Sequence, residues 1–445
     1  MFSGSPKNDD VICAIATPPG RSAIGIVRLS GPDLSSYIQT LCPQGLRPRE
    51  ASLFAFFDPS GAILDQGIAL FFPKPHSYTG EDVLELHLHG NPLILDAALK
   101  YLLSLGARLA EPGEFTLRAF LSGKMDLAQA ESVADIIDAS SMAAVRAAQK
   151  TLQGAFSQKI HAIGQELLQL RALVEASLDF SDEDIEPESD RWSTRIHTML
   201  QALSALIQSA NQGLSLQEGL RVVIAGPPNA GKSSLLNRLA DEDLAIVTPM
   251  AGTTRDSIRV QVHLAGVSME LVDTAGIRTP TDEIEAMGIA RSKSLLQHAD
   301  VVLWVTDVAL PLDLSFQEYF SSSTKVILIR NKIDLCGIKA GSELTNAWPV
   351  IYLSARTGQG LNHLEETLQL LSPQDSEGVF IARRRELEAL ETAKKRLEEG
   401  QTFLHAPELL GEYLTQAQTA LGTITGHVSA DDVLGEIFSR FCIGK

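Results

Sequence analysis

The chain has 445 residues, 44% apolar and only 21% charged, which suits two to four domains with buried cores and excludes a disordered polymer. Its formal net charge of −18 argues against general nucleic-acid binding; an RNA partner would need a local basic patch or a second protein that carries one. Cys13, Cys42, Cys336 and Cys442 lie far apart with no C-x-x-C pair, which disfavours a zinc site and a disulfide framework. No apolar run reaches transmembrane length, and MFSGSPKNDD lacks a signal-peptide core, so a cytoplasmic protein is expected.

Residues 1–119 mix short strand-like runs with Gly and Pro punctuation: ICAIAT, AIGIVRLSG, ASLFAFF, AILDQGIALFF and DVLELHLHG. One helix-like stretch, LILDAALKYLLSLG, ends at Gly106 as a C-terminal cap, and the whole predicts an α+β domain. Residues 120–215 read as helical. Met142, Val145, Ala148, Leu152, Phe156, Ile160, Ile163, Leu167, Leu170 and Val174 recur at three- and four-residue steps and predict a single apolar stripe. The acidic run SDEDIEPESD breaks it, and a further helix is expected to close at Gly213.

Over residues 216–378 short apolar runs alternate with helical segments, which predicts a mostly parallel sheet covered on both faces. From 379 to 445 the chain turns helical again. The simplest organisation is a helical domain interrupted by an inserted α/β domain.

RVVIAGPPNAGKSS, residues 221–234, contains G-x-x-x-x-G-K-S at Gly226, Gly231, Lys232 and Ser233. Such glycines let backbone N–H groups wrap phosphates at a helix N-terminus, Lys232 reaches the outer phosphates, and Ser233 ligates Mg²⁺. Asp273 and Gly276 in DTAG, Asp334 in NKID and the SAR run Ser354–Arg356 follow in the order of a Ras-like G domain. A carboxylate at Asp334 accepts two hydrogen bonds from guanine, so GTP is the expected nucleotide. The VTPMAGTTRD run supplies Thr253 and Thr254 as candidates for the Mg²⁺-capping threonine.

Where Ras-like proteins carry a water-orienting glutamine after DTAG, this chain has Ile277. A domain lacking both glutamine and arginine finger is slow, and a finger is worth about 10⁵-fold, or roughly 7 kcal/mol. Asn229, inside the phosphate loop, offers an amide oxygen for a monovalent cation that takes the arginine's place.

With ATPPGR, GEDVLELHLHG, PGEFTLRAFLSGKMDLAQAE, AGTTRD, DTAGIR and FCIGK, the chain resembles, over essentially its whole length, the bacterial tRNA-modification family of potassium-activated GTPases. The resemblance implies a folate-binding-type N-terminal domain that also dimerises, an all-helical domain, and a G domain inserted in it. It implies GTP contacts from Asn229, Ala230, Gly231, Lys232, Ser233, Ser234, Thr248, Thr253, Thr254, Asp273, Thr274, Ala275, Gly276, Asn331, Lys332, Asp334, Ser354, Ala355 and Arg356. It implies Mg²⁺ on Ser233 and Thr254, and K⁺ on Asn229, Thr248, Met250 and Thr253. Glu285 would position the attacking water, so Glu285, Asn229 and Thr254 form the expected catalytic set.

In the N-terminal domain, Glu85, His87 and His89 share one strand face, and a polar face or a metal site are the alternatives to a ligand site. The resemblance implies a tetrahydrofolate derivative, in the 5,10-methylene or 5-formyl form, held by Arg28, Glu85, Lys124 and Lys445, with Cys442 as a possible reactive thiol. It also implies a homodimer and a heterotetramer with an FAD-dependent partner, MnmG. Together they would add an aminomethyl-type group, such as carboxymethylaminomethyl, to C5 of the wobble uridine of certain tRNAs. Much of the tRNA contact would fall to the partner, without a membrane. A ribosome-assembly GTPase is the alternative; it should carry an RNA-binding module, and none is seen outside the G domain.

Overall fold

The computed structural model describes residues 10–57, 61–139, 141–179, 189–218, 220–242, 259–264, 267–273, 299–311, 324–345, 348–371, 379–426, 431–439, 441 and 444. The chain divides into two compact units. The first comprises Met1–Ala134, Lys150–Ala205 and Arg385–Lys445; the second comprises Asp135–Gln149 and Leu206–Arg384.

The first unit opens with β1 (Ile12–Ile15), β2 (Ser22–Gly31), β3 (Ser52–Phe57), β4 (Ile63–Phe72), β5 (Asp82–Gly90) and the short β6 (Arg108–Leu109). They form one sheet in the order β3-β4-β5-β2-β1-β6, antiparallel except for the β1–β6 pair. Alternation along β5 turns Leu84, Leu86 and Leu88 into the core, where they meet Val27, Leu29, Phe54 and Phe56. Helix Pro92–Ser104 covers that face with Leu95, Ala98 and Leu102. Asn91 caps it by accepting from Leu93 N–H at 3.0 Å, Pro92 takes the first helical position, and Gly106 follows its end at φ +100°.

The expected single helical stripe is two helices, Met142–Leu152 and Ala155–Asp179, broken at Gly154 with φ +83°. The stripe runs as expected from Phe156 to Val174, all buried at the expected steps. Before the break the phase differs: Ala148 is buried as expected, but so are Ala144 and Ala147, while Val145 and Leu152 are half-buried and Met142 is exposed. The small alanines pack with Leu216, Val379 and Ile381 in the second unit. The next helix, Ser189–Glu218, does not stop at Gly213. A Cβ there would stand 1.8 Å from the Phe380 carbonyl oxygen, so this glycine permits a close backbone approach rather than ending a helix.

In the second unit, β7 (Leu220–Ala225), β8 (Arg259–Leu264), β9 (Val267–Asp273), β10 (Val301–Asp307), β11 (Lys325–Asn331), β12 (Gly341–Leu344) and β13 (Pro349–Tyr352) form a sheet ordered β12-β13-β11-β10-β7-β9-β8. The five inner strands are parallel; β8 and β12, at the edges, are antiparallel. Central strands such as VVLWVTD are apolar nearly throughout because both faces are covered. The order with one antiparallel edge at β8 is that of a Ras-like G domain, with β12 added at the far edge. Helices Lys232–Glu242 and Leu361–Leu371 lend Leu235, Leu236, Leu239, Leu361, Leu364 and Leu368 to one face of the core.

Candidate nucleotide site

The site forms where the carboxyl ends of the parallel strands meet loops, the usual ligand position in open α/β sheets. β7 ends at Ala225 and helix Lys232–Glu242 begins seven residues on, so 226–231 form the phosphate loop. Gly226 has φ +141°, and a Cβ on it would reach within 2.1 Å of the Val305 carbonyl oxygen. Gly231 has φ +94°, and a Cβ there would meet Asn331 Nδ2 at 2.3 Å. Both positions therefore demand glycine, and the loop can curl tightly enough for its N–H groups to face an anion. Asn229 is left-handed at φ +61° and exposed, and asparagine tolerates that conformation better than most residues.

Lys232 is buried, and its ammonium donates to the carbonyls of Gly226 at 3.1 Å and Pro227 at 3.0 Å. Ser233 and Ser234 are exposed at the start of the helix. Ser233 therefore stands at the first turn of the helix, beside the loop, and the two-glycine cradle fits phosphate.

The NKID residues divide their labour. Asn331 is 2% exposed; its Nδ2 donates to the Ala230 carbonyl at 2.8 Å, and its Oδ1 accepts from Ala355 N–H at 2.9 Å. It ties the phosphate loop to the SAR loop. Sequence reasoning assigned it to the nucleotide and missed this bracing role, because its partners lie 101 and 24 residues away. Lys332 adopts φ +68°, and Asp334 is exposed in the short helix Ile333–Cys336. Ser354 is buried, and its Oγ accepts from Thr357 N–H at 3.2 Å.

Two further residues frame the site without any motif to announce them. Arg238 Nε donates to the Ala355 carbonyl at 3.3 Å and Nη2 to that of Arg356, so the phosphate-loop helix also grips the SAR loop. Asp307 accepts from Lys332 Nζ at 2.9 Å and from Ala309 N–H at 3.0 Å; the backbone bond first, then the lysine, hold its carboxyl below the ordinary range.

Thr248, Met250, Thr253, Thr254, Thr274, Ala275, Gly276 and Glu285 lie outside the described residues, as do Cys442 and Lys445. Asp273 ends β9, whose parallel partner is β7.

In the N-terminal sheet, Arg28 and Glu85 face each other across β2 and β5. Arg28 donates to Glu85 Oε1 from Nε at 2.9 Å and Nη2 at 2.8 Å, while His87 Nε2 stands 3.2 Å from Oε2. Arg28 also lies over the Tyr78 and Phe115 rings and reaches the Gly444 carbonyl at 3.4 Å. The C-terminal tail and the N-terminal sheet thus meet at Arg28. His89 joins Asp65 instead, at 2.7 Å, so the three alternating polar residues of β5 do not converge. Lys124 donates to the Pro75 carbonyl at 2.8 Å. Among the described residues no group of three or more His, Cys, Asp or Glu could hold a metal, and no helix is long and apolar enough to cross a membrane.

Comparison with known proteins agrees. Residues 127–442 match the model of the MnmE helical domain, and residues 11–124 match that of the GTP-binding protein TrmE N-terminus. The tRNA modification GTPase MnmE of Nitrosomonas eutropha is 47% identical over 99% of this chain and 100% of its own. That of Nitrosospira multiformis is 49% identical over 98% of this chain and 99% of its own. The solved G domain of Thermotoga maritima FeoB, described as an iron transporter, is 28% identical over 34% of this chain and 98% of its own, with a TM-score of 0.27. That score is too low to bear on the fold, which rests on the strand order. With both family models matched and near-complete relatives at almost half identity, the chain is a GTPase and belongs to the MnmE family of tRNA modification GTPases.

Proposed function

We propose that this GTPase is K⁺-dependent and acts in tRNA modification, adding a carboxymethylaminomethyl-type group to C5 of the wobble uridine of certain tRNAs. It works in the cytoplasm as a homodimer, with the FAD-dependent partner MnmG in a heterotetramer, and draws its carbon from a tetrahydrofolate derivative. The observation that carries the reading is Asn229, an exposed left-handed asparagine between the two obligatory glycines of the phosphate loop. An amide oxygen there can ligate a monovalent cation whose charge takes the place of the arginine that Ras-like enzymes use.

The nucleotide contacts are those named from the sequence, with Lys232 and the loop N–H groups on the phosphates, Asp334 on the base, and Ser354, Ala355 and Arg356 around it. Bound Mg²⁺, on Ser233 and Thr254, would supply charge neutralisation to the phosphate oxygens; K⁺, on Asn229, Thr248, Met250 and Thr253, would supply the charge of the absent finger. Glu285 positions the attacking water. The domain limits follow the sequence textures: 1–119 for folate binding and dimerisation, 120–215 and 379–445 for the helical domain, and 216–378 for the G domain. Glu85 has acceptor capacity beyond its bonds to Arg28 and His87, which suits the amino-pyrimidine edge of a pterin. Arg28, Lys124 and Lys445 supply cations for the glutamate tail, and Cys442, three residues before Lys445, is the candidate thiol. The acidic net charge fits a division of labour in which MnmG makes most of the tRNA contact.

The test is steady-state GTP hydrolysis in K⁺ and in Na⁺ at equal ionic strength, for wild type and Asn229→Ala. Strong K⁺ stimulation that disappears in the variant is expected. Equal rates in both salts would overturn the cation mechanism.

A further inference from the structure

Asp307 ends β10, belongs to none of the four nucleotide motifs, and yet faces one of them. Its neighbour across the parallel pairing is Asn331, the first residue of NKID. Val308 N–H donates to the Asn331 carbonyl at 2.9 Å, which fixes the strand ends together. Beyond them the chain turns, and that turn is held twice. Arg330 Nη2 donates to the carbonyls of Val308 at 2.8 Å and Leu310 at 2.7 Å, and Nη1 donates to Thr306 Oγ1 at 3.2 Å. Asp307 Oδ1 caps the same turn through Ala309 N–H. This leaves Oδ2 for another partner, and Lys332 Nζ sits on it at 2.9 Å.

Lys332 needs such an anchor. It is a flexible four-carbon stem that loses rotamer freedom on ordering, on a left-handed backbone that few side chains accept. Both partners are partly shielded, at 30% and 22% side-chain exposure, so the pair is stronger than a surface ion pair. Asn331 and Asp334 flank Lys332 in the same motif, one bracing the loops and one assigned to the base.

We infer that Asp307 is a positioning residue for nucleotide binding: its carboxylate pins the Lys332 ammonium, which stretches the lysine's apolar stem along the side of the guanine site. The inference rests on the assignment of Lys332 to the nucleotide. The base side is common to GTP and GDP, so the effect must be equal for both and must leave the hydrolytic step alone.

The experiment measures GDP and GTP binding by calorimetry, and KM and kcat for GTP, in the full-length chain carrying Asp307→Asn, Asp307→Ala, Lys332→Ala, or Asp307→Ala with Lys332→Ala. Asp307→Asn keeps an oxygen for Ala309 N–H and presents an amide N–H to the ammonium, so it removes the clamp and spares the turn. Expected are about tenfold weaker binding of both nucleotides in each Asp307 variant, KM raised by the same factor, kcat within twofold of wild type, and no further loss when Asp307→Ala is added to Lys332→Ala. Wild-type affinity in Asp307→Asn, or additive losses in the double variant, would overturn the positioning role while leaving Lys332 on the nucleotide. Wild-type affinity in Lys332→Ala would overturn that assignment and the inference with it.

Discussion

At the scale of single residues, Asn331 shows how a motif residue can carry a bracing role that its sequence does not announce. NKID identifies a guanine-nucleotide loop in the sequence, and Asn331 takes its place there. Its amide also joins Ala230 and Ala355, and it is almost wholly buried. Replacing it by alanine leaves one carbonyl and one N–H buried without a partner, at about 1–3 kcal/mol each. Asn331→Ala is therefore expected to loosen the phosphate loop and the SAR loop together. Affinity for GDP should fall by at least a hundredfold, with a lower melting temperature for the second unit. Loss of affinity with an unchanged melting temperature would mean that Asn331 acts on the ligand and not as a brace. Gly226 and Gly231 were legible for the opposite reason. A Cβ at either would collide with a neighbour, and the sequence pattern already names glycine there.

At the scale of elements, strand positions and the inserted α/β pattern were legible because alternation and apolar runs are local signals. Helix ends were less so. Gly213 looks like a cap in sequence, yet the helix passes through it, because the pressure on that position comes from Phe380, far along the chain. The run PGEFTLRAF is another case. Its Glu114 and Arg118, one turn apart on helix Glu114–Leu121, join Asp10 ahead of β1, Glu81 before β5, and Arg108 on β6. Arg108 grips Glu114 with two bonds, at 2.7 and 3.0 Å, and Arg118 reaches Asp10 at 2.6 Å and Glu81 at 3.1 Å. Burial alone would raise the Glu114 carboxyl; bonds from Arg108 and the Glu111 N–H, with the charges of Arg108 and Arg118, outweigh it and hold the group below the ordinary carboxylate range. Asp10 is likewise held below its ordinary range, burial opposed by both arginines. The unfolded chain therefore binds more protons at low pH than the native one. The stabilisation is complete above the unfolded values and is lost as pH falls through the folded ones. Thermal stability of the first unit is expected to drop steeply below about pH 4. Glu114→Gln should cost about 3 kcal/mol at pH 7 and flatten that slope, since one partner of a buried ion network is removed. An unchanged slope in the variant would exclude Glu114 as a source of the acid sensitivity.

At the scale of the whole molecule, the two ends of the chain fall in one unit, and the nucleotide unit is built from sequence between them. The first unit closes on itself through the C-terminal residues. Helix Asp431–Ser439 brings Ile437 and Phe438 against Leu117, Leu127 and Ala130, and Phe441 completes that cluster. Gly113, left-handed at φ +69°, fits against the Phe438 carbonyl, where a Cβ would come within 2.6 Å. Gly444, at φ +97°, lies so close to β1 that a Cβ would stand 2.4 Å from the Ile15 carbonyl oxygen. The FCIGK ending is thus read twice, once as packing by Phe441 and Gly444 and once as proposed chemistry by Cys442 and Lys445. Truncation separates the two. Removing residues 441–445 deletes a buried Phe, at about 3–5 kcal/mol for such a side chain, and exposes the Arg28 end of the sheet. Replacing only Cys442 by Ser and Lys445 by Ala keeps Phe441 and Gly444. The truncated chain is expected to melt at lower temperature in its first unit while GDP affinity, which belongs to the second, stays within twofold. The double substitution should retain the wild-type melting temperature and lose binding of a reduced folate. If the substituted chain also bound folate normally, the terminus would be a packing device alone, and the folate reading would fall back on Arg28, Glu85 and Lys124.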